Sequence, residues 1–197
     1  MISTMLAVTA LATSVSAAAA QQQPASDSTS GGNYWGRFAL GAAISLAAHE
    51  SAHLLTSLAL GFHPSVGLDN GRPTIFSGIN SRQYPHQQFL FSASGLTTQT
   101  LIDELILDIP HHRGGAIERG ILAGGIGTTL FYITLGRNGA VSDVAFMSRT
   151  SSLSKTQVSL IFGGVAAIHA IRIARDSSYS HFFAGPAHKG VVVGWRN

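Results

Sequence analysis

Residues 38–60 read FALGAAISLAAHESAHLLTSLAL, and His49-Glu50-Ser51-Ala52-His53 near the middle spell H-E-x-x-H. Glu50 is the only charged residue in the run. Small and apolar residues lie on both sides, no proline interrupts them, and Gly61 followed by Pro64 closes the stretch. That pattern predicts one buried helix. Positions four apart on a helix lie one above the other, so His49 and His53 can grip a single Zn²⁺ while Glu50 acts on its water. A carboxylate in an apolar helix is costly, and a metal between two imidazoles supplies a reason for it. Nine His and three Glu in 197 residues give on the order of 0.01 chance matches to the motif. The bland alternative is a pair of hydrogen-bonded core histidines, with Glu50 capping one of them.

Composition bounds the setting. Charged residues make up 11% of the chain, well below the roughly one quarter typical of soluble proteins. The net charge is +3, but the basic residues are scattered, with no stripe suited to nucleic acid. Cysteine is absent, so a zinc site must be built from His, Asp or Glu. The first twenty residues, with an apolar core at Met5–Ala12 and small residues at Ser16–Ala20, read as an export signal without its usual positive start. A short uncleaved anchor is the other reading. Residues 21–35 read as a disordered linker rich in Gln, Ser, Pro and Gly.

Four segments approach membrane length: Phe38–Leu60, Phe89–Ile109, Ile117–Leu135 and Val158–Ala174. Glycines 120, 124, 125 and 127 in the third would let helices approach closely in lipid. Ser65–Leu68 and Thr74–Phe76 flank Asp69-Asn70-Gly71, a turn signal that predicts a small hairpin or, equally, a solvated loop. The expected fold is therefore mainly α, a polytopic membrane bundle of about four spans with a β-hairpin after the first. Residues 36–176 would form this domain, embedded in the lipid bilayer, and residues 177–197 a polar tail. A soluble helical bundle is the competing architecture.

A hydrophobic helix bearing His49-Glu50-Ser51-Ala52-His53, then a short β element, then further spans, resembles the site-2 protease family of intramembrane zinc metalloproteases. In that family the third ligand is an aspartate on a later span, within a Leu-Asp-Gly signature that this chain lacks. By order of elements its counterpart is Asp143, and Ser94-Gly95-Leu96 loosely echoes the family's second helix. Asp143 can equally serve as the N-cap of a short helix over Val144–Ser148. Glu104 and Asp108 form E-x-x-x-D, which resembles the second-helix motif of the thermolysin-like class and makes Glu104 the alternative ligand. A polar helix end is the plainer reading of that pair, and a satisfied core residue that of His169. Gln99 is positioned to hydrogen-bond a ligand or a substrate backbone. The resemblance implies Zn²⁺ held by His49, His53 and Asp143, with Glu50 as the catalytic base. It also implies a peptide or membrane-protein substrate held by strand addition at the hairpin. The alternative function is a non-proteolytic metal-binding membrane protein, and a soluble exported zincin-like enzyme is a third.

Overall fold

The computed structural model describes residues 31–69, 71–179, 182–187 and 190–195, with side chains described through Tyr179. The expected signal segment lies outside these residues, as does most of the expected linker. The first helix, α1 (Gly31–Ala59), begins within the last residues of that linker stretch. It closes on Gly61, whose φ of +82° suits glycine, while the Phe62 N–H bonds back to the Ser57 carbonyl at 3.1 Å. Together these form the glycine-terminated cap that satisfies a helix's last carbonyls.

The predicted hairpin follows as β1 (Ser65–Asp69) and β2 (Arg72–Phe76), antiparallel, with Asp69 opposite Arg72 across a two-residue loop. Gly71 has φ +81°, as such tight loops require. Next comes α2 (Pro85–Asp108), with proline in its first turn and Ile109-Pro110 ending it. Then come α3 (Ala116–Ile133), the seven-residue α4 (Asp143–Arg149) and α5 (Lys155–Arg175). Ser154 and Gln157 cap α5 reciprocally in a capping box. The stretch expected to be a plain polar tail carries a second antiparallel hairpin, β3 (Phe182–Ala187) with β4 (Gly190–Trp195).

Two features hold the bundle around the motif helix. Gly41 and Gly120 let α1 and α3 touch backbone to backbone. A Cβ on Gly41 would lie 2.0 Å from the Ile117 carbonyl oxygen, and one on Gly120 2.0 Å from that of Phe38. Leu96, Val144, Met147 and Val158 form a buried cluster joining α2, α4 and α5, which fixes the N-terminus of α4 in the interior.

The mainly helical architecture holds, but the four-span membrane bundle does not. Among the described residues only α5 is long and apolar enough to cross a membrane, so a multi-pass arrangement is not supported. The polar residues that interrupt the other segments explain the difference. His49 and His53 on α1 and Gln99 and Asp103 on α2 are buried inside the bundle. They dilute the hydropathy of helices that are apolar elsewhere, and Glu118 and Arg119 dilute that of α3.

Candidate metal centre

The helical repeat of α1 places His49 and His53 on one face, turned into the bundle. Their Nε2 atoms are 3.1 Å apart. Asp143 enters from the first turn of α4, its Oδ2 3.2 Å from Nε2 of His49 and 3.3 Å from Nε2 of His53. The helix-capping role open to Asp143 falls instead to Ser142, whose hydroxyl accepts from the Ala145 N–H. All three side chains are buried and together form a group able to hold a metal ion. Tetrahedral bonds of 2.0–2.1 Å separate ligand atoms by about 3.3 Å, so the spacing is that of three corners of such a site.

Hydrogen bonds behind the rings determine which nitrogens are free. The Gln99 side chain donates through Nε2 to the Ser45 hydroxyl at 3.2 Å and the Ser45 carbonyl at 3.4 Å. Because a carbonyl only accepts, the other end of that amide is its oxygen. His49 Nδ1 therefore donates to Gln99 Oε1 at 3.0 Å. His53 Nδ1 likewise donates to the Phe91 carbonyl at 2.7 Å. With both Nδ1 atoms protonated, both neutral rings turn bare Nε2 lone pairs towards Asp143, the arrangement a metal-binding histidine needs. Asp143 Oδ2 is itself buried without a hydrogen-bond donor.

Electrostatics follow from this crowding. Burial favours a protonated Asp143, but once an Nε2 takes up a proton, His53 and His49 outweigh it and hold the carboxyl well below its usual range. Burial disfavours a charged His53, yet the Asp143 carboxylate prevails and raises that ring. Gly95 on α2 makes the packing behind the rings feasible. A Cβ there would fall 2.5 Å from His49 Cε1 and 2.6 Å from His53 Nε2. The Ser94-Gly95-Leu96 stretch thus lies directly against the histidine pair.

Glu50 faces a cavity of roughly 160 Å³ whose walls include His53, Asp143, Tyr132, Ile75 and Phe146. Its Oε2 accepts from the Ile75 N–H at 3.3 Å. Pro73 explains why that N–H is available. Lacking a donor, Pro73 cannot form a fully hydrogen-bonded pair with Leu68, and such pairs alternate along an antiparallel ladder. Two residues on, Ile75 therefore turns its N–H away from β1, towards the cavity.

The other sequence candidates separate clearly from this group. Glu104, the alternative ligand, points to α5 instead, where it accepts from His169 Nε2 at 2.9 Å and pairs with Arg172. Asp108 pairs with the same arginine. The E-x-x-x-D spacing thus serves a helix–helix contact, and His169 is a buried, partnered core residue. His63, His86, His111 and His112 are exposed, and the side chains of His181 and His188 lie outside the described residues. Sequence reasoning missed Tyr132, whose ring stacks on His49 with centroids 5.4 Å apart and planes within 15°. Burial, with Asp143 and Glu50 nearby, pushes its phenol up. No local pattern marks it, because its partners come from other elements.

Comparison with known proteins gave no match among protein-family models, curated proteins or solved structures.

Proposed function

We propose that the chain is a zinc metalloprotease that hydrolyses peptide bonds in or near a membrane. The observation that carries this reading is the triangle of bare nitrogen and carboxylate atoms beside a cavity that Glu50 also faces. Two imidazoles and one carboxylate at tetrahedral spacing suit zinc, whereas calcium takes six to eight oxygens. The H-E-x-x-H motif, through which the chain resembles site-2 proteases, supports the same reading. The membrane setting is supported by α5 and by apolar side chains exposed on the helices, such as Leu160 at 70% and Leu101 at 57%.

In this mechanism His49, His53 and Asp143 would hold the ion, which when bound would supply a lowered pKa for its water and polarisation of the scissile carbonyl. Glu50 takes the proton from the attacking water and passes it to the departing amine. The outward edge of β2 offers the Ile75 N–H to an extended peptide, which fits strand addition. A substrate carbonyl that accepts this N–H takes it from Glu50 and leaves the carboxylate free to act as base.

A second reading is a non-proteolytic metal-binding protein, favoured by the contact between Glu50 and Ile75 and by the missing Leu-Asp-Gly signature. A synthetic transmembrane peptide in detergent micelles, followed by mass spectrometry, separates the two. Zinc-loaded wild type is expected to cut it. Glu50→Gln should cut about 10²- to 10⁴-fold more slowly while binding zinc normally. Equal cleavage by the variant would refute the role of Glu50, and no cleavage by the wild type would favour the second reading.

A further inference from the structure

When water adds to a peptide carbonyl, a carbon–oxygen bond forms and the π pair moves onto the carbonyl oxygen. Charge developing there calls for a fixed hydrogen-bond donor. Glu50 and Asp143, on the cavity wall, are anionic acceptors. The lining donors among the described residues are mostly committed elsewhere. Thr74 Oγ1 donates to the Arg72 carbonyl at 3.1 Å, and Ser77 Oγ to Gln88 Oε1 at 2.9 Å. Gln88 Nε2 donates to Ser92 Oγ at 3.1 Å, and Arg72 is paired with Asp69. His53 gives its Nδ1 proton to Phe91.

Tyr132 differs in both chemistry and placement. A phenol, with an ordinary pKa near 10, holds its proton at neutral pH. The ring is fixed by its stack on His49 and by an edge contact to Phe131, with centroids 5.5 Å apart. It lines the cavity shared with Glu50, His53 and Asp143, and also the adjoining cavity walled by Thr74 of β2. Glu50, Thr74 and Tyr132 are the residues common to both, so a peptide laid along β2 would lie against cavities that both the base and the phenol line.

We propose that the Tyr132 hydroxyl is a catalytic donor that stabilises negative charge on the scissile carbonyl oxygen. The proposal rests on the protease reading above. As the carbon–nitrogen bond breaks, the pair on oxygen re-forms the carbonyl, the amine leaves with the proton carried by Glu50, and the hydroxyl of Tyr132 keeps its own proton throughout.

Tyr132→Phe preserves the ring and its stack, and so isolates the hydroxyl. On the model transmembrane peptide kcat should fall about 10²- to 10³-fold, with KM and zinc affinity unchanged. A phosphinic dipeptide, whose tetrahedral oxygens mimic the charged carbonyl, should bind the zinc-loaded variant about 10- to 100-fold more weakly than wild type. That titration needs no turnover. Weaker phosphinate binding by the variant, with no cleavage by either protein, would refute the protease and with it the catalytic role, leaving the hydroxyl only as a donor to a bound tetrahedral anion. Equal phosphinate binding by the two proteins would overturn the assignment. So would a loss of zinc affinity in Tyr132→Phe that accounts for the change, since the hydroxyl would then serve the metal site alone.

Discussion

Gly95→Ala tests the metal centre without altering any of its ligands. The added methyl would sit 2.5 Å from His49 Cε1, 2.6 Å from His53 Nε2 and 2.7 Å from His49 Nδ1. Carbon atoms pack comfortably at about 3.5 Å or more, so relief demands about 1 Å of movement. Either the rings shift or α2 withdraws. The first breaks a triangle whose edges are 3.1–3.3 Å, while metal–ligand distances tolerate only about ±0.2 Å. The second pulls Gln99 and the Phe91 carbonyl, both on α2, off the Nδ1 protons they fix. On either course zinc affinity should fall about 100-fold, the upper end of what losing an outer-shell partner costs, or about 2.7 kcal/mol. Competition against a chromophoric chelator measures the affinity, and far-UV circular dichroism checks that the helices persist. A folded Gly95→Ala protein that binds zinc within about twofold of wild type would refute the packing of α2 against the histidines.

Two further outcomes are expected. Asp143→Asn should weaken zinc binding at least about as much as Gly95→Ala, whereas Glu104→Gln should leave it nearly unchanged, because Glu104 faces His169 and Arg172. The same chelator competition checks both, and the reverse ranking would return the third-ligand role to Glu104. Asp103 should make stability pH-dependent: burial and the neighbouring Glu104 raise its carboxyl to about 7, from 3.8 unfolded. Between those values the folded chain holds more protons than the unfolded one, so its contribution is intact below about pH 4 and is lost as pH rises towards 7. Asp103→Asn should flatten urea-unfolding stability across that window, and an unchanged slope would refute the shift.

How much could be read from the sequence depends on whether a signal is local. The motif helix and its glycine stop are local, since spacing specifies them directly, whereas the Asp69-Asn70-Gly71 signal fits a solvated loop as well as the hairpin that β1 and β2 form. Asp143 was accessible through the order of elements in the resemblance, although its competition with Glu104 was not decidable by spacing. What separates the two is the Leu96–Val144–Met147–Val158 cluster, which joins residues of three helices and draws the start of α4 inward. Tyr132 and the Phe91 carbonyl gave no signal, because one acts by stacking across the fold and the other through its backbone. The number of membrane spans failed for a physical reason. The other segments have the length of spans, but they carry the polar side chains of a buried interior, and among the described helices only α5 reaches the mean hydropathy of a crossing helix.

The same interior explains why a cation fits the centre better than protons do. Both Nδ1 hydrogens are committed to Gln99 and Phe91, so three electron-pair donors meet edge to edge at 3.1–3.3 Å. A single added proton on either Nε2 can bridge only part of the triangle, and the remaining bare acceptors still face one another. Two added protons, one per imidazole, would satisfy Asp143 but set two N–H groups head to head across 3.1 Å. No count of protons settles all three edges in a buried site, where an unmet polar group costs about 1–3 kcal/mol. One ion at the common apex settles them together. Any metal held there would therefore depend on the orientation set by Gln99 and Phe91, and turning either ring about its Cβ–Cγ bond would undo both.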